Sequence, residues 1–170
     1  ASSLANWIQS RSRTSMYAPV KRLNPSGEDV LRRTGFFPPA GDVDIVFGNA
    51  SYQANLLGPS TLVDVATTEN GVYTVADSKR KKLFTYDDDG NLLYAFGGSG
   101  FQEGLFQSIS AVDYQGTSLL VLDKSQARIT VFHRTAYGDL IDEAIRLHAE
   151  RKYEASVEKW YDILTLNTNY

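Results

Sequence analysis

Two stretches of this chain, Gly71 to Tyr86 and Thr117 to Phe132, superpose without a gap at an offset of 46 residues. Each has an alternating apolar run closed by an aspartate, Asp77 or Asp123, then a polar turn ending in a basic residue, Lys82 or Arg128, then a second alternating run closed by an aromatic residue. Alternation with a period of two lines one face of a strand with apolar side chains, so each copy reads as a β-hairpin. A repeat at this period means that neighbouring units stack to bury faces that one unit alone would leave wet.

The flanks extend the unit. Leu62-Val-Asp-Val65 and Ala111-Val-Asp-Tyr114 are strand candidates ahead of the two hairpins, and Asp87-Asp-Asp-Gly90 is a turn leading into the strand Asn91 to Phe96. Four strands per unit match a propeller blade. A partial third copy, Val20 to Leu31, aligns with Leu83 to Tyr94 at an offset of 63, so this connection is longer by 17 residues. The surplus falls in residues 36–59, rich in Pro and Gly, which read as an excursion over one face. Leu4 to Ile8 reads as a further strand of the first unit.

From Thr135 the period becomes helical. Leu140, Ala144 and Leu147 share one face; after a break at Glu150-Arg-Lys152, Tyr153, Ser156, Val157, Trp160 and Leu164 continue at spacings of three and four. The expected fold is mainly β: a partial propeller of about two and a half four-stranded antiparallel blades, covering 4–35, 60–97 and 109–134, with an inter-blade insertion at 36–59 and a C-terminal helical hairpin at 135–170.

Composition narrows the chemistry. The chain has no Cys and two His, His133 and His148, so disulfides, thiolate metal sites and Cys nucleophiles are excluded. A net charge of −3 and a pI near 5.4 argue against a nucleic-acid partner. No apolar run is long enough for a membrane-spanning helix.

The pattern of apolar strand, Asp, short turn, basic residue and aromatic closure resembles the NHL repeat. The linker Phe96-Gly-Gly-Ser-Gly-Phe-Gln-Glu-Gly-Leu-Phe106 is similar to the Gly-rich connection between NHL blades, with Ser108-Ile109 where a Pro is usual. Tyr153-x-x-Ser156-x-x-x-Trp160-x-x-Ile-Leu164-x-Leu166-Asn167 is similar to the second half of a tetratricopeptide repeat, departing at Ser156 and Ile163, where Ala is preferred, and at Thr168, where Pro is. The order of these parts resembles NHL-repeat proteins of Gram-positive bacteria. It implies a segment of a longer chain with further blades and helical repeats, a secreted or cell-surface location, and a non-enzymatic scaffold that binds protein or carbohydrate. A second implication is a lactonase-like metal-dependent hydrolase of the six-bladed type.

The candidate residues follow from that frame. Asp64, Asp113 and Tyr114 lie on the strands expected to line a propeller channel, where lactonase-type propellers hold a divalent metal; strand-end hydrogen bonding is the simpler reading, and no metal or cofactor is expected. Asp77 with Lys82 and Asp123 with Arg128 occur once per unit and read as turn-bracing ion pairs, not acid–base pairs. Asp87-Asp-Asp-Gly-Asn91 lacks the closing Glu of a calcium loop and reads as a hairpin turn. Lys79-Arg-Lys-Lys82 reads as a solvated loop. Trp160, Tyr161 and Tyr170 are the partner-surface candidates on the helical hairpin.

Overall fold

The computed structural model describes residues 20–32 and 60–166. The expected strand at 4–8, the excursion at 36–59, and Asn167, Thr168 and Tyr170 lie outside these residues. Within them the chain forms β1 (Leu62–Thr67), β2 (Tyr73–Asp77), β3 (Lys82–Tyr86), β4 (Leu92–Gly97), β5 (Ile109–Gln115), β6 (Ser118–Asp123) and β7 (Arg128–Phe132), followed by α1 (Ala136–Ala149) and α2 (Tyr153–Leu166). Strands β1 to β4 make one antiparallel sheet in chain order, and β5 to β7 make a second. The architecture is therefore mainly β with a helical hairpin.

The repeat is reproduced in detail. Asp77 opposes Lys82 in the first hairpin and Asp123 opposes Arg128 in the second. Both turns pass through the left-handed region at the equivalent non-glycine residues Lys81 (φ 57°) and Ala127 (φ 48°). The third copy shows the same economy of means at its turn. Asn24 caps it by accepting from the N–H groups of Ser26 and Glu28, as its counterpart Asp87 accepts from Asn91, and Gly27 (φ 81°) matches Gly90 (φ 83°). Around that turn the described residues form an isolated antiparallel bridge, Leu23 to Asp29.

The second sheet has three strands where four were expected. After Phe132 the chain turns into α1, because Thr135 is extended (φ −82°, ψ 165°) and its hydroxyl accepts from the Gly138 N–H, forming an N-cap. Left-handed Arg151 (φ 62°) reverses the chain between the helices, with Lys152 N–H donating to the Leu147 carbonyl at 2.9 Å.

The sheets stack in one direction. Tyr73, Val75, Phe84 and Tyr86 face Val20 and Leu31 of the preceding segment. The opposite face of the same sheet, with Ala76 and Leu83, packs on Val112, Leu119 and Val121 of the second sheet, and Phe106 from the linker fills the gap between them. The positions of the second sheet equivalent to Ala76, Leu83 and Thr85 are Leu122, Ile129 and Val131. The first three are 0 % exposed; their counterparts are 38 %, 59 % and 45 % exposed.

Helix α1 lies against the first sheet, joining Ile141 and Ala144 to Val72 and Leu93, and α2 adds Ile163 to this cluster. Ser156 closes the helix pair by donating to the Ala144 carbonyl at 2.8 Å. The face expected to be apolar and inward on α2 is mostly turned outward: Tyr153, Val157 and Leu164 are exposed, and the buried residues are Ser156 and Ile163. A small residue at 156 lets the helices approach, and Ile163, not Leu164, lies in the buried cluster.

Candidate functional site

Each repeat carries a buried aspartate at the end of its first hairpin strand. One oxygen of Asp77 accepts from the backbone N–H groups of Thr61, Lys79 and Arg80 at 2.9–3.2 Å; the other accepts from the Ser60 hydroxyl at 2.7 Å and the Arg80 guanidinium at 3.2 Å. Asp123 repeats the pattern. It accepts from the N–H groups of Ser108, Ser125 and Gln126 on one oxygen, and from the Gln107 N–H (2.6 Å) and the Gln126 side-chain amide (3.0 Å) on the other. Burial pushes the Asp123 carboxyl up, but the donors from Gln107, Ser108, Gln126 and Ser125 outweigh it and hold the group below its ordinary value of 3.8. These aspartates pin each hairpin turn to the start of the sheet's first strand.

The expected pairing with Lys82 and Arg128 is corrected by this geometry. Lys82 donates to the Gly97 carbonyl at 3.2 Å and Arg128 to the Leu105 carbonyl at 3.1 Å. Opposed backbones do not bring these side chains together, because each aspartate curls into its own loop while the basic group reaches along the linker. Burial pushes the Lys82 ammonium down. Arg80, in the run expected to be a solvated loop, is 7 % exposed and ion-paired to Asp77. In the acidic turn, Asp87 accepts from the Asn91 N–H and side-chain amide, while Asp88 pairs with Arg22 and Asp89 with Arg32. That turn docks the 20–32 segment on the first sheet.

Asp64 and Asp113 lie on the edge strands β1 and β5. Asp64 accepts from its neighbour Val65 on one oxygen and from the Val112 N–H of the second sheet on the other, both at 2.9 Å, so it ties the two sheets together. Asp113 is exposed and accepts from the Tyr114 N–H at 2.8 Å. Among the described residues no group of three or more His, Asp or Glu side chains converges on a point that could hold a metal ion. His133 lies 3.0 Å from the Ser118 hydroxyl, and His148 packs edge-on against Tyr153. Trp160 is partly buried against the helix–sheet cluster, and Tyr161 is 67 % exposed.

Tyr114 points the opposite way from Asp113, as successive strand residues must. It enters a cleft of about 340 Å³ where both sheets meet α1. The walls are Leu93 and Phe96 of β4, Leu119 of β6 and Phe132 of β7, with Ile141 and Ile145 above. At its base, hydroxyls form a chain. Thr74 lies 2.6 Å from the Tyr114 phenol and 2.7 Å from Thr85, and the Tyr94 phenol lines the same cleft. Burial pushes both phenols up, Tyr94 to about 12. At the rim Arg134 is paired with Asp142 at 2.7 Å and lies 3.6 Å from Asp139. A Cβ at Gly138 would sit 2.8 Å from the Arg134 Cγ, so a larger residue there would have to displace that side chain.

Sequence reasoning named only Tyr114 of this site. The available signal was the placing of Thr74 and Thr85, polar residues at alternate positions of strands that are otherwise apolar on the same face.

No family model matches this sequence, and no curated protein does. Among solved structures, the computationally designed Ika4 protein is similar at 15% identity with a TM-score of 0.35, the match covering 44% of this chain and 41% of that one. A likeness at that level carries no argument about fold family or function.

No helix among the described residues is long and apolar enough to cross a membrane.

Proposed function

We propose that this chain is a non-enzymatic binding scaffold: a segment of an NHL-type β-propeller with a tetratricopeptide-like hairpin, working in a secreted or cell-surface setting. Its partners are proteins or carbohydrates, with further blades and helical repeats of the same kind among them.

The observation that carries the reading is the contrast between equivalent positions of the two sheets. Ala76, Leu83 and Thr85 are sealed by the next sheet, whereas Leu122, Ile129 and Val131 present the same surface to solvent. An exposed apolar patch built on a rigid repeat is the usual mark of an interaction surface. The outer side of α2 adds a second patch, where Tyr153, Val157, Tyr161 and Leu164 follow one another at helical spacing.

The test is affinity capture from the host's surface and secreted fractions, comparing the wild type with Val131→Lys and Tyr161→Lys, which alter exposed positions and leave the circular dichroism spectrum native. A partner held by the wild type and lost with either substitution is the expected result. Capture unaffected by both substitutions would sink the proposal.

A further inference from the structure

The cleft beneath α1 is separate from the two outer patches, and its chemistry is more specific. We infer that it is a binding site for a small uncharged organic molecule, largely apolar, carrying one hydroxyl or carbonyl oxygen.

Size and lining set the apolar part. About 340 Å³ falls at the small end of the range, roughly 300–1,000 Å³, in which clefts hold organic ligands. Phe96 and Phe132, in edge contact at 4.9 Å, form one wall, and Ile141 and Ile145 close the other. The combination of aromatic and branched aliphatic walls favours a flat ring system over a flexible chain.

The hydroxyl chain sets the polar part. A hydroxyl flanked by two others donates to one and accepts from the other, so the run through Tyr114, Thr74 and Thr85 can point in either direction. The phenol at its end therefore offers a donor or an acceptor as the ligand requires. The Tyr94 and Tyr114 phenols both line the cleft, and burial keeps them protonated throughout the neutral range. A buried hydrogen-bonding group of this kind discriminates strongly against a ligand that lacks the matching oxygen.

The rim sets the charge. Arg134 is the cation nearest the cleft mouth, and it is already held by Asp142 and Asp139. An anionic ligand would have to displace a carboxylate from it, and a cationic one would meet Asp142 already paired. Neutral molecules enter without either cost.

The probe is 2-naphthol, compared with naphthalene, which lacks the oxygen, and 2-naphthoate, which is charged. Binding is followed on the whole chain by calorimetry and by ¹H–¹⁵N shift mapping. Saturable binding of 2-naphthol is expected, with shifts centred on Tyr94, Tyr114 and Ile141, and with 2-naphthoate at least about tenfold weaker because of its charge. Tyr114→Phe should weaken 2-naphthol by about three- to tenfold, the worth of one hydrogen bond, and leave naphthalene unchanged. Ile145→Trp, which fills the cleft from a half-buried position, should abolish binding while the backbone amide signals elsewhere stay native. The inference is overturned if 2-naphthol does not saturate, if the two naphthalene derivatives bind equally, or if the shifts cluster at Ile129 and Val131 of the outer face. It does not depend on the scaffold reading, since none of these readouts involves the captured partner.

Discussion

A buried carboxylate is tolerated only where hydrogen bonds replace the water it has lost, and Asp77 and Asp123 are each given five. Asp123→Asn keeps the shape but removes the charge from its backbone donors, and should cost about 1–3 kcal/mol in urea unfolding. The pH dependence has a definite sign. Because the folded-state Asp123 carboxyl lies below its ordinary 3.8, its contribution is fully present above that value and is lost as pH falls through the lower folded-state value. The wild type should therefore lose thermal stability on acidification below about pH 4, and Asp123→Asn should lose less of it. Ala127 invites the opposite substitution: left-handed backbone costs an L-residue about 1–2 kcal/mol, so Ala127→Gly should gain about 0.5 kcal/mol after its larger unfolded-state entropy is subtracted. The importance of both aspartates was legible from their place in the repeat. Their partners were not, because facing positions in a hairpin say nothing about which way a side chain bends.

The elements themselves follow the alternation of the sequence closely, and each hairpin register is the one the 46-residue repeat requires. Helix α2 marks where this stops. Periodicity identifies a helix and its apolar stripe, but the surface it meets decides which part of that stripe is buried, and here Ser156 and Ile163 lie inward. Ile163→Ala should cost about 2–5 kcal/mol, as for other fully buried aliphatic side chains, whereas Leu164→Ala should stay within about 1 kcal/mol. Chemical denaturation of the two variants distinguishes them directly. The second sheet stops at three strands where the chain passes into helix at the capping threonine at 135, the position at which the sequence period itself becomes helical. The cleft was least legible of all, because it is made from the ends of β3 to β7 and one face of α1, and no single stretch of sequence contains it.

For the molecule as a whole, the clearest expression of the stacking is a pair of equivalent substitutions. Leu83→Lys places a charge between the sheets and should prevent folding, while Ile129→Lys, at the same repeat position, should leave the melting temperature within a few degrees of wild type. The buried phenols give a second global readout. Tyr86, Tyr94 and Tyr114 are all raised by burial; their contribution is complete below the ordinary phenol value of 10.0 and is lost as pH rises through the folded values, with Tyr94 at about 12. Absorbance at alkaline pH should show these tyrosines ionising late and together with unfolding. The stacking has a geometric consequence too. Each sheet turns the same side toward residues 20–32 and the same side away, so the surface carrying Leu122, Ile129 and Val131 is the counterpart of the one that the first sheet buries against the second. A further unit added there in the manner of the first two would continue the stack head to tail, like adding links to a chain. The rotation between successive units then decides the outcome: a turn that divides the circle gives a closed ring, and any other gives a filament.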